Sequence, residues 1–174
     1  MLRQLPSVAL ISTQGRRVDL SAEPGRAVVF VYPWTGTPGL PDPPDWDNIP
    51  GAHGSTPEAA GFAKLWPEFA AAGVAIYGIS GQSPADPRAF SQRMGLPFEL
   101  LSDEGFAFAD ALGLERFTTG GVHYLKRQTL VVRDGVIAEH IRDVPDPPGH
   151  AEQALAAVNG PHPLSPSSRG RGLG

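Results

Sequence analysis

Gly54-Ser55-Thr56-Pro57-Glu58 concentrates the chemistry of this chain. Ser55-x-x-Glu58 has the spacing of a capping box, in which a hydroxyl and a carboxylate satisfy backbone donors where a helix begins, and Pro57 is tolerated in the first turn. A helix start also presents free N–H groups and the positive end of the helix dipole, so a side chain seated there is favoured as an anion or held against one. Serine hydrolysis would call for a Gly-x-Ser-x-Gly elbow. Ser55 is followed by Thr-Pro, and Gly78-Ile-Ser80-Gly-Gln82 fails at its last position. His53, His123, His140, His150 and His162 lack the i, i+4 or paired spacing of metal ligands, so no zinc or iron site is expected. His53, two residues before Ser55, reads either as a neighbour of the site or as a loop residue. The chain has no cysteine, which excludes disulfides, thiolate metal sites and thiol chemistry as written.

These residues need a frame to hold them. Residues 27–32 and 74–79 are short apolar runs rich in β-branched and aromatic side chains, the pattern of strands buried on both faces. Between them Phe62, Leu65, Trp66 and Phe69 fall at i, i+3, i+4 and i+7, the stripe of an amphipathic helix, which Pro67 is expected to kink. Trp46 and Trp66 are read as packing residues. Helical segments follow at 87–94 and 105–112. Residues 127–133 and 136–141 flank Asp134-Gly135, a type I′ hairpin signal because both central residues need positive φ. Ala151, Ala154, Leu155 and Val158 then repeat the helical spacing. Strand–helix–strand, two helices, hairpin and helix resembles the plan of an α/β thioredoxin-like domain, a mixed β-sheet flanked by helices.

At 174 residues the chain is expected to form one domain, residues 1–158, with a Pro-, Gly-, Ser- and Arg-rich flexible tail at 159–174. Lys+Arg number 14 and Asp+Glu 18, for a net charge of −4. With no basic stripe, nucleic acid is not an expected partner. The 41% hydrophobic content supports one buried core. The uncharged stretch 69–80 is too short and Gly-interrupted to span a bilayer, and the start of the chain lacks a signal-cleavage pattern, so a cytoplasmic chain with no membrane partner is expected. Residues 33–57 stand apart, with seven prolines and four glycines in 25 positions. A loop of that length at the carboxyl end of a strand in an open α/β sheet is expected to be functional.

The segment Tyr32-Pro33 … Gly54-Ser55-Thr56-Pro57-Glu58-Ala59-Ala60-Gly61-Phe62 resembles the active-site stretch of the peroxiredoxins, and more narrowly of the peroxiredoxin Q, or bacterioferritin-comigratory, type. There the pattern is Gly-Cys-Thr-x-Glu-Ala-Cys-x-Phe, a peroxidatic cysteine followed five residues later by a resolving one. Ser55 and Ala60 occupy those two slots here. The resemblance runs on through residues 74–80, Leu96-Pro-Phe-Glu-Leu-Leu-Ser-Asp103 and Arg127-Gln-Thr-Leu-Val-Val, and covers roughly residues 5–158. It implies a thiol peroxidase for hydrogen peroxide and organic hydroperoxides that needs no cofactor. It also implies a thioredoxin-type reductant and a monomer or homodimer. In that mechanism a helix N-terminus and a guanidinium lower the thiol pKa, and Arg, Thr and N–H groups hold the peroxide oxygens. The resulting sulfenic acid becomes a disulfide that the reductant reopens. The resemblance places Arg127 and Thr37, or Thr35 in its stead, on the peroxide and makes Pro33 the shield of the pocket.

Two departures qualify it. The family's Pro-x-x-x-Thr-x-x-Cys reads Pro33-x-x-x-Thr37-x-x-Leu40, and the helix-opening motif comes 15 residues later, so residues 39–54 read as an insertion. Both cysteines are absent. A serine hydroxyl is un-ionised at neutral pH and has no sulfenate chemistry, so the chain as written is expected to be inactive. The absence is accounted for either by deliberate Cys→Ser and Cys→Ala replacement or by natural loss, and the retained Arg127 favours replacement. The alternative from another class is a thioredoxin-fold binding or scaffold protein whose proline-rich loop and acidic surface contact a partner.

Overall fold

The computed structural model describes residues 3–160; the tail expected from 159 onward lies almost wholly outside them. Short strands β1 (Arg3–Gln4), β2 (Ala9–Ser12) and β3 (Arg17–Asp19) precede β4 (Arg26–Val31). Then come α1 (Ser55–Ala71), β5 (Val74–Ser80), α2 (Ala85–Met94), β6 (Glu99–Ser102) and α3 (Ala107–Leu112). A hairpin of β7 (Arg116–Thr119) and β8 (Val122–Leu125), a second of β9 (Gln128–Arg133) and β10 (Val136–Ile141), and α4 (His150–Asn159) complete the chain.

Eight strands form one mixed sheet in the order β1-β10-β9-β4-β5-β6-β2-β3, and β7-β8 pair separately. The β4–β5 and β5–β6 pairs are parallel; the others are antiparallel. β4 shows why its apolar run is continuous. Alternation sends Val28, Phe30 and Tyr32 to one face, where they pack with Phe62 and Phe69 of α1, Phe90 of α2 and Ala154 of α4. Val29 and Val31 point to the other face, beside Phe108 and Leu112 of α3. The sheet is therefore covered on both sides, as a parallel centre requires. The expected I′ turn is present, with φ of 49° at Asp134 and 78° at Gly135.

Pro67 lies exposed inside α1, and the helix runs on through it to Ala71. Trp66 departs from its expected packing role: it is 40% exposed, whereas Phe62 and Phe69 are fully buried. At about 100° per residue, Phe62 and Phe69 are nearly in line, while Trp66 lies about 40° to the side of Phe62. Among the described residues no helix is long and apolar enough to cross a membrane.

Candidate active site

The antiparallel register pairs Val31 of β4 with Gln128 of β9. Arg127, one residue earlier, is thereby level with the carboxyl end of β4, where α1 also begins. Gly54 precedes the helix with φ of 116°, and a Cβ there would lie 2.7 Å from the Pro147 ring. Only glycine lets the 3-10 turn Pro147–Gly149 close over the helix start.

Arg127 organises everything around it. Its Nη2 donates to the Ser55 hydroxyl at 3.1 Å and to the carbonyls of Ala52 and His53 at 3.1 and 3.2 Å. Its Nε donates to the Gly51 carbonyl at 3.2 Å, and its Nη1 to Glu58 Oε1 at 2.7 Å. The Arg127 and Glu58 side chains are 2% and 0% exposed. Glu58 Oε2 is buried without a hydrogen-bond partner. Burial pushes the Glu58 carboxyl up to about 7, against the pull of the adjacent guanidinium.

The capping box expected at Ser55 and Glu58 is not formed. Gly54 is the N-cap, no side chain caps the helix, and Ser55 is already its first residue. Glu58 turns inward because a buried guanidinium is a stronger hydrogen-bond partner than a solvated backbone N–H.

Of the other predicted residues, Pro33 is buried beside Trp34 and Gln82. Thr35 is buried too. Its N–H and hydroxyl donate to Gln82 Oε1 at 3.0 and 3.2 Å, and Gln82 Nε2 donates back to the Thr35 carbonyl at 3.1 Å. Thr37 is exposed and is not among the hydrogen-bond partners of Arg127; its carbonyl receives the Leu40 N–H. The Gln82 clamp holds the chain at Thr35, and residues 36–40 then run outward. Ala60 is exposed on α1, while Ser55 is buried.

The segment 39–54, expected as an insertion, is a packed structure. Its 3-10 turn Trp46–Asn48 buries Trp46 against Trp34, Phe117 and Tyr124, with ring centroids 5.4, 5.6 and 5.1 Å away. Thr119 of β7 donates its hydroxyl proton to the Pro44 carbonyl at 2.6 Å. His53 takes part through its backbone, since its carbonyl receives Arg127 while its exposed ring pairs with Asp47. Asp42, Asp47 and His53 bring ligand-type atoms within 4.8 Å of one another, all on exposed side chains.

Residues 50–140 match the family described as AhpC/TSA. The chloroplastic peroxiredoxin Q of Populus jackii is 31% identical over 152 residues, which is 86% of this chain and 63% of that protein. The peroxiredoxin Q of Sedum lineare is likewise 31% identical, with 73% of its length covered. The chain thus spans a little under two thirds of the Populus relative's length. Among solved structures, the bacterioferritin comigratory protein of Xanthomonas campestris, studied for alkyl peroxide reduction, superposes with a TM-score of 0.72 at 30% identity over 90% of this chain and 95% of that one. BcpB of Mycobacterium tuberculosis gives a TM-score of 0.73 at 26% identity, covering 91% and 95%.

Proposed function

Because the chain belongs to the AhpC/TSA family, we propose that it carries the peroxide-binding frame of a peroxiredoxin Q and performs no thiol-peroxidase turnover with Ser55 and Ala60 in place. The observation that carries this reading is the Ser55 hydroxyl, held at the first residue of α1 against the buried Arg127 guanidinium. A thiolate in that position would be favoured by both the helix end and the guanidinium. It would attack one peroxide oxygen, forming an S–O bond as the O–O bond breaks; the sulfur becomes a sulfenic acid and the other oxygen departs as hydroxide or alkoxide, which takes a proton from water to become water or alcohol. The serine hydroxyl takes no such step.

A resolving thiol at position 60 would also need movement. In intact α1, residues five apart stand about 140° round the helix from each other, matching buried Ser55 and exposed Ala60. A disulfide between them needs their Cα atoms within about 7 Å, so the first turns of α1 must unwind. Peroxide and a thioredoxin-type reductant are the partners of this reading.

The test is peroxide consumption with a thioredoxin system by the chain and by its Ser55→Cys, Ala60→Cys variant. Turnover by the variant alone is expected. Turnover by the unaltered chain would overturn the reading. Turnover by neither would favour the second reading, a thioredoxin-fold binding protein. One observation supports that second reading: the carbonyls of Gly51, Ala52 and His53 already take donors of Arg127 that a peroxide would require.

A further inference from the structure

A cavity of about 220 Å³ opens beside Pro33 and Gln82. That is room for about seven waters at liquid density. Its walls come from distant parts of the chain: Trp34 follows β4, Gln82 follows β5, Asp86 lies in the first turn of α2, and Val122, His123 and Tyr124 belong to β8.

The walls are braced. Gln82 is spent on Thr35, which fixes the turn that carries Trp34. Trp46 sits behind both aromatic walls, meeting Trp34 at 69° and Tyr124 at 68° between ring planes. Tyr124 is further stacked on Phe117, at 5.5 Å and 23°. The insertion's Trp46 and the β7 residue Phe117 together support these rings. Thr118 and His123 are joined through Oγ1 and Nδ1 at 2.7 Å.

The chemistry of the walls is specific in sign. Trp34, Tyr124 and the imidazole of His123, a Val122 side chain and a single carboxylate, that of Asp86, line one space, and no Lys or Arg is among the lining residues. Arg93, the basic residue two turns further along α2, is bound to the Gly36 carbonyl at 2.9 Å. Aromatic faces attract cations, and their attraction strengthens where water is displaced. We propose that this cavity binds a small organic ammonium ion, with its charge toward Asp86 and its alkyl groups against Trp34 and Tyr124. The site uses neither Ser55 nor Arg127 and does not depend on the peroxidase reading.

The test is calorimetric titration of the full chain with choline and, in parallel, with its neutral carbon isostere 3,3-dimethylbutan-1-ol. Saturable choline binding is expected, with the isostere about tenfold weaker. Asp86→Asn, at an exposed position, should weaken choline about tenfold and leave the isostere unchanged. Trp34→Leu should abolish binding and Trp34→Phe restore part of it, with thermal melts confirming that each variant is folded. Equal affinity for the two compounds, indifference to Asp86→Asn, or no saturation at millimolar choline would overturn the proposal.

Discussion

Glu58 is subject to two opposing influences: burial favours its neutral form, and Arg127 favours its charge. With Oε2 left without a partner, burial prevails, and the carboxyl keeps its proton up to about 7 instead of the ordinary 4.5. The unfolded chain releases that proton earlier, so between these values it binds fewer protons than the folded one. Glu58's contribution is therefore complete below pH 4.5 and is lost as pH rises through 7. Urea unfolding across this window should show a loss on the order of 3 kcal/mol from this group, and Glu58→Gln should flatten it. Arg127→Met leaves Glu58 and the insertion's carbonyls without their donor, and a destabilisation of about 3–5 kcal/mol is expected in the same assay. An Arg127→Met protein as stable as the parent would contradict the role given to the guanidinium.

At the scale of elements, patterns with a strong local cause were readable and those set by distant partners were not. Residues 27–32 and 74–79 announced their strands because the sheet buries both of their faces. Asp134-Gly135 announced its turn because few other pairs accept that backbone. The strands β1 to β3 are two to four residues long, too short for alternation to register. The β7–β8 hairpin carried a usable signal in Gly120-Gly121, with φ of 58° and 76°, but its strands are mostly half-buried or exposed and lack an apolar run. The site divides in the same way. Ser55 and Arg127 stood out by motif, whereas the burial of Thr35 and the exposure of Thr37 depend on a clamp by Gln82, 47 residues from Thr35. Glu58 looked local because the capping-box spacing is local, and its real partner lies 69 residues on. Two element-scale outcomes follow from packing. Trp46→Ala should cost about 3 kcal/mol and expose the insertion to proteolysis, since its largest buried side chain anchors it to β8. Pro67→Ala should stabilise α1 by up to about 3 kcal/mol, measured by urea midpoint, because the exposed proline withholds a helical hydrogen bond.

For the molecule as a whole, the described fold closes at α4, where the Gly160 N–H meets the Ala156 carbonyl and Arg26 holds the Val158 carbonyl at 3.1 Å. The strand order has a further consequence. β4 lies at the centre of the sheet between β5 and β9, and β1 pairs only with β10, so Arg3 faces Ile137. A ribosome making this chain from its first residue releases β4 with one flank bare until β9 emerges some hundred residues later. Long-range pairings of this kind are slow to form and leave strand edges open to other chains meanwhile. During synthesis the apolar centre of the sheet is thus the part most in need of a chaperone, and the last hairpin is the segment whose arrival ends that need.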